Sequence, residues 1–193
     1  AHHAEAPPWK SFRDKFQEKR VLQFTATPFR EDGQKVDGQL VYVYPLRLAQ
    51  TEGYFRPIRF RPVFEFNQAR GDQKIAEAAV EELHADVTGK HVVMARVGTR
   101  PRATDVLTIY QAIGDFNPVI IHSGLSKRAQ DKAKAKLFSG ASRIVICVDM
   151  LGEGFDMPEL KIAAFHDVRK SLAITLQLAG RFTRTRADLG NAV

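Results

Sequence analysis

Apolar and polar positions follow two rhythms along this chain. In "DQKIAEAAVEELHADV" (Asp72–Val87), Ile75, Ala79, Val80 and Leu83 recur at three- and four-residue steps, which predicts an amphipathic helix. Elsewhere the apolar residues come in short unbroken runs: "HVVMA", "NPVIIH", "SRIVICV" and "LKIAAFH". Runs of this length, rich in Val and Ile, predict strands buried on both faces. Between them "TRPRATDVLTIYQAIG", "SKRAQDKAKAKLFSG" and "SLAITLQLAGRFTR" carry helical spacing. The alternation predicts an α/β fold. Its doubly wound parallel sheet is built from His91–Ala95, Pro118–Ile121, Ile144–Val148 and Ile162–Phe165, with helices on both faces. In such sheets ligands bind beyond the carboxyl ends of the strands.

The first third of the chain is less regular. "PWKSFRDKFQEKR" sets Trp9, Phe12 and Phe16 at helical spacing, and "VLQF" (Val21–Phe24) reads as a short buried strand. "TATPFREDGQKVDG" is a loop. From there to about Arg70, prolines and scattered arginines mark a connector with a short helical piece. Its Tyr54, Phe55, Phe60, Phe64 and Phe66 alternate with arginines. Packing between two domains is the favoured role for these rings, and stacking on bases the lesser one.

Composition narrows the class. The chain has 193 residues, 44% of them apolar, enough for a globular core. A formal net charge of +7 points mildly to a polyanionic partner. The single cysteine, Cys147, excludes an internal disulfide and a multi-cysteine zinc site. The apolar runs are too short to span a bilayer, so a cytoplasmic, soluble protein without a membrane partner is expected.

Chemistry-bearing residues gather where strands end. "TATPFR" places Thr25 and Thr27 around Ala26, although Thr and Pro are also common in ordinary turns. "VDMLGEGFDMP" follows the strand ending at Val148. Its Gly152 and Gly154 permit close backbone approach to a ligand, and Asp156 suits ribose hydroxyls; a plain Gly-rich turn is the competing reading. In "QLAGRFTR", Gln177, Arg181 and Arg184 stand at i, i+4 and i+7 on one helical stripe. Two guanidiniums so placed suit charge developing on a transferring phosphoryl group, against the alternative of a solvated basic helix end. His122 and His166 end strands and read as satisfied structural histidines. The cations of "SKRAQDKAKAK" read as a solvated face.

In order, "AHH", "TATPFR", "VDMLGEGFDMP" and "QLAGRFTR" resemble successive signatures of superfamily 2 helicases of the DEAD/DEAH-box type, in a subgroup similar to restriction-enzyme motor subunits. The resemblance runs from Ala1 to about Arg186. It implies that residues 1–38 are the tail of a first RecA-like domain, 39–70 a connector, and 71–193 a second RecA-like domain that stops short of a last core strand. Ala1 and His2 would end a D-E-A-H box, with His2 coupling the nucleotide site to Thr25 and Thr27. Gly154 and Asp156 would touch the nucleotide, Gln177 would orient the interface, and Arg181 and Arg184 would be arginine fingers. Arg96, Thr99, Arg100, Ser123 and Gly124 would lie along a nucleic-acid backbone, DNA being favoured. Val148 stands where many members carry a Thr that helps hold the strand. The phosphate-binding loop and the acidic pair of the box are not in this sequence. ATP and Mg²⁺ would therefore be cofactors of a longer parent, this stretch alone would be inactive, and no metal ligand is expected within it. The alternative is a non-catalytic nucleotide- or nucleic-acid-binding module with the same fold.

Overall fold

The computed structural model describes residues 7–16, 18–24, 38–148, 157–167, 182 and 189–193. The described chain divides into two units, one reaching up to Pro45 and the other beginning at Leu46.

In the first unit, helix α1 spans Pro7–Asp14. Phe12 and Phe16, one turn apart, meet edge to face with centroids 5.2 Å apart. Val21–Phe24 is irregular and exposed rather than a buried strand. So short a segment, three apolar residues and Gln23, forms a strand only beside another strand, and no strand is formed over these residues.

The second unit holds α2 (Leu46–Thr51), α3 (Gln68–Ala85), β1 (Val92–Val97), α4 (Arg100–Ile113), β2 (Val119–His122), α5 (Lys127–Phe138), β3 (Ile144–Val148) and β4 (Leu160–Phe165). The four strands form one sheet in the order β2-β3-β1-β4, every pairing parallel. All six residues of β1 are buried, as the unbroken run "VVMARV" requires of a central strand covered on both faces. Ala76, Ala79, Val80 and Leu83 of α3 share a core with Ala103, Val106 and Tyr110 of α4 and with the strand residues Val93, Ile144 and Ile162. The chain crosses from β1 outward to β2 and returns to β3, so right-handed crossovers put α4 and α5 on opposite faces of the sheet.

Two features close the outer edge of β4. Val193 donates to the Lys161 carbonyl and accepts from the Ala163 amide, both at 2.8 Å, and Ala192 bridges in parallel to Ile58. An exposed row of strand groups is thereby covered. The buried Lys161 ammonium donates to the Phe182 carbonyl at 3.3 Å. Beside α3 the connector runs extended. Arg59 and Arg61 pair with Glu82, and Arg61 also with Glu81. The alternate residues Phe60, Phe64 and Phe66 face away and are exposed instead of packed, the outcome of a two-residue alternation whose other side is anchored on α3.

Candidate nucleic-acid interface

Two loops leave the carboxyl edge of the sheet and each runs directly into a helix. After β1, Gly98 and Thr99 lead into α4. Thr99 is its N-cap, the hydroxyl accepting from the Arg102 amide at 3.5 Å, with a proline in the first turn. After β2, residues 123–126 lead into α5. Ser126 caps it, accepting from the Ala129 amide at 3.3 Å. Both helices therefore begin at the same edge of the sheet, where their free N–H groups favour an anion.

The loops touch through one side chain. A Cβ built on Gly124 would stand 2.4 Å from Arg100 Cζ and 2.5 Å from Nη1, so the guanidinium occupies the space beside the glycine that a side chain would fill. Arg100 reaches across the end of β3 to do this, since β3 separates β1 from β2. The β2 turn is fixed from within. The Gly124 amide donates to His122 Nδ1 at 3.0 Å, and Gln130 Nε2 donates to the carbonyls of Leu125 and His122 at 3.0 and 3.4 Å. Thr99, Arg100, Ser123 and Gly124 are all exposed. Arg96, expected beside them, lies inside β1 at 5% exposure, its guanidinium withdrawn from any strand at the surface. Lys127, Arg128, Lys132 and Lys136 of α5 are exposed, as a solvated face would be.

Beneath this edge lies a buried polar cluster that sequence reasoning missed. Arg102 grips Asp72 with both terminal nitrogens, at 2.8 and 2.9 Å. Asp72 Oδ1 meets His166 Nδ1 at 3.0 Å, and His166 Nε2 meets the Tyr110 hydroxyl at 3.2 Å. Burial resists the charge on Asp72, but the bonds from Arg102 and His166 outweigh it and hold the carboxyl below its usual range. Burial lowers His166 despite the opposing pull of Asp72, so the ring is neutral. A neutral ring with Nδ1–H toward the carboxylate accepts from Tyr110 at Nε2, and every member is satisfied. Burial first, then the charge on Asp72, raises the Tyr110 hydroxyl far above its ordinary value. With Tyr110 at 0% exposure no substrate reaches it, so the Tyr–His–Asp series is structural, as expected of His166. One signal was available: Asp72 stands one turn before Ala76 on the stripe that continues to Ala79, Val80 and Leu83, a carboxylate in a core position.

The remaining expected site residues, His2, Thr25, Thr27, Gly154, Asp156, Gln177, Arg181 and Arg184, lie outside the described residues. So does Arg184's neighbourhood, although Phe182 is described and buried. β3 ends at Val148, at the same carboxyl edge of the sheet. Among the described residues no group of three or more His, Cys, Asp or Glu side chains could hold a metal ion, and no helix is long and apolar enough to cross a membrane.

Residues 74–186 match the family model described as the helicase conserved C-terminal domain. UvrABC system protein B of Thermodesulfovibrio yellowstonii is 27% identical over 170 residues, which are 85% of this chain and 23% of that protein. A 51.5 kDa protein of a Lactococcus phage is 24% identical over 201 residues, 95% of this chain and 44% of that protein. The chain thus spans less than half the length of these curated relatives. Among solved structures, domain 2 of the DEAD-box helicase Mss116p, bound to an RNA duplex, superposes with a TM-score of 0.54 at 15% identity, over 65% of this chain and 48% of that one. The helicase MrfA, bound to DNA and AMPPNP, gives 0.53 at 18% identity, over 70% and 18%. The four-stranded parallel sheet with its helices is the RecA-like fold of helicase C-terminal domains.

Proposed function

From the premise that this chain belongs to the helicase conserved C-terminal domain family, within superfamily 2, we propose that it is the second RecA-like part of an ATP-dependent nucleic-acid translocase or helicase. Residues 1–38 are in this reading the tail of a first RecA-like domain, and 39–70 the connector. DNA is the favoured strand. The kinship to restriction-enzyme motors finds no support in the two relatives described above, and the proposal does not depend on it.

The observation that carries the reading is the meeting of Arg100 and Gly124. Two helix N-termini, a guanidinium and an exposed glycine backbone converge on one edge. That is the chemistry of a phosphate contact: donors aimed outward, no carboxylate among the four exposed residues Thr99, Arg100, Ser123 and Gly124, and a backbone that a strand can approach closely. Such contacts position a strand without reading its sequence.

On the nucleotide side, Gly154 and Asp156 would hold the nucleotide and ribose, Gln177 would orient the interface, and Arg181 and Arg184 would stabilise charge on the γ-phosphoryl group. His2, Thr25 and Thr27 would link that site to domain movement. ATP with Mg²⁺ supplies the phosphoryl chemistry. Its metal ligand and phosphate loop belong to sequence that this chain does not include.

The test is nucleic-acid-stimulated ATPase in the full-length protein. Stimulation by DNA that is lost in Arg181→Ala, together with weakened DNA binding in Arg100→Ala, is the expected result. Strand binding without any hydrolysis would identify a non-catalytic module instead.

A further inference from the structure

Asp167 stands two residues past the end of β4, yet both of its carboxylate oxygens serve the segment that leaves β1. Oδ2 accepts the Gly98 amide. Oδ1 accepts from Arg102 Nη2 and Nε at 3.3 and 3.4 Å. The last backbone bond between the two strand ends is the His166 amide to the Arg96 carbonyl, at 3.0 Å. One step further along β1 the Gly98 amide finds its acceptor in the Asp167 side chain. Arg102 cannot drift, because Asp72 holds its other face. Asp167 thus grips the loop from an anchored position, and two residues after Gly98 on the same strand–loop–helix path comes Arg100, laid on Gly124.

Charge sharpens the question. Arg102 is shared between two carboxylates, Asp72 and Asp167, and His166 is neutral, so the cluster carries a net negative charge close to the proposed strand. By Coulomb attraction alone, removing Asp167 would help a polyanion bind. A carboxylate retained there needs a different reason. Holding the turn supplies one. A loop already fixed in its bound shape loses less freedom when the strand arrives.

We infer that Asp167 is a positioning residue for nucleic-acid binding: it fixes the turn at Gly98 and Thr99 so that Arg100 is presented beside Gly124. Arg102, with Nε and both terminal nitrogens engaged by Asp72 and Asp167, is the brace and not a phosphate contact. The inference rests on the proposed reading of the Arg100 loop.

The experiment measures binding of a fluorescently labelled dT oligonucleotide to the full-length protein by anisotropy, without nucleotide, with thermal melts on each variant. Asp167→Ala removes the charge and the acceptor. It is expected to weaken binding about tenfold or more, the worth of one hydrogen bond to a charged group. Asp167→Asn removes the charge but leaves an oxygen for the Gly98 amide, and should bind as the wild type does or tighter. Gly98→Pro deletes the donor and sets a ring carbon where the amide hydrogen pointed, so the Asp167 carboxylate must also move, and it should weaken binding as Asp167→Ala does. It serves alone if Asp167→Ala does not fold. Binding by Asp167→Ala equal to or tighter than wild type, or equal losses in the Ala and Asn variants, overturns the positioning role. Arg100→Ala separates the two levels: normal binding there removes the reading of the loop itself, whereas weak binding there with normal Asp167→Ala and Gly98→Pro removes only the role of Asp167.

Discussion

Gly124 shows how much one missing side chain can decide. Its substitution by alanine would set a methyl group 2.4 Å from Arg100 Cζ. The intruded atom is the far end of a long, exposed side chain that can swing away, so folding stability should stay nearly unchanged, within about 0.5 kcal/mol. Strand binding should weaken, because the guanidinium no longer rests where the two loops meet. Urea denaturation and anisotropy on the same variant separate these outcomes. Arg100→Ala goes further and deletes the charge. It should weaken binding alike for all sequences, and reduce the slope of log affinity against log salt by about 0.7 to 0.9, the share of one phosphate. At this scale the sequence was legible where chemistry and exposure coincide. Thr99, Ser123 and Gly124 lie in strand-end loops and Arg100 opens the helix after one, because the strands before them were unmistakable. Arg96 was not legible, since "VVMARV" does not say that the arginine in it is buried. Asp167 was not legible either, because its partners Gly98 and Arg102 are 69 and 65 residues away in the chain.

Between elements, the polar cluster ties α3, α4 and the end of β4 together, and its titration should be visible in stability. His166 is neutral in the folded chain, with its proton affinity lowered chiefly by burial. The unfolded chain binds that proton at the ordinary pKa near 6.5. The contribution of the neutral ring is therefore complete above about pH 6.5 and declines as pH falls. Asp72, held low, keeps its contribution until pH falls below about 4. His166→Asn keeps a donor for Asp72 and removes the titrating ring. Between pH 7 and pH 5 its urea midpoint should fall less than that of the wild type, and an equal fall in both would show that His166 is not the source. Arg102→Ala should be far more damaging, by about 3 kcal/mol, since it leaves Asp72 buried without its bidentate partner. The elements themselves were read closely from sequence, because unbroken apolar runs and helical spacing are both strong in Asp72–Val148. "VLQF" misled for the opposite reason: three apolar residues around one glutamine predict burial, but so short a run does not secure it and the segment is exposed. The cluster escaped because its members are scattered through the chain, from Asp72 to Asp167, and only the parallel order of β1 and β4 brings them together.

For the whole molecule, the proposed function makes this chain one half of an ATPase site. In P-loop motors a phosphate loop, a lysine and an acidic pair hold the triphosphate and Mg²⁺, while arginines from outside that set stabilise the transferring group. In the proposed function this chain would supply arginines of the second kind, Arg181 and Arg184, with Gln177 orienting the interface, and its sequence holds neither the phosphate loop nor the acidic pair. It should therefore show no hydrolysis above background when purified as these 193 residues, even with DNA present. In the full-length protein, Arg181 and Arg184, three residues apart in the sequence, would in the proposed reading take different places on the phosphate. Each should matter most as charge develops, so loss should fall on turnover and not on nucleotide-free strand binding. Removing an arginine finger costs about 10³ to 10⁵ in turnover in related chemistry, and the lower end is expected where two share the role. Arg181→Lys keeps a charge but not the planar fork, and should remain badly impaired. Stimulated ATPase and nucleotide-free DNA affinity, measured on Arg181→Ala, Arg184→Ala and Arg181→Lys, provide the check. Normal turnover in all three, or lost DNA binding with turnover intact, would make the stripe a strand-binding or structural feature. Multiple turnovers by the 193-residue chain alone, abolished by Arg181→Ala, would mean that it carries a complete phosphate site of its own.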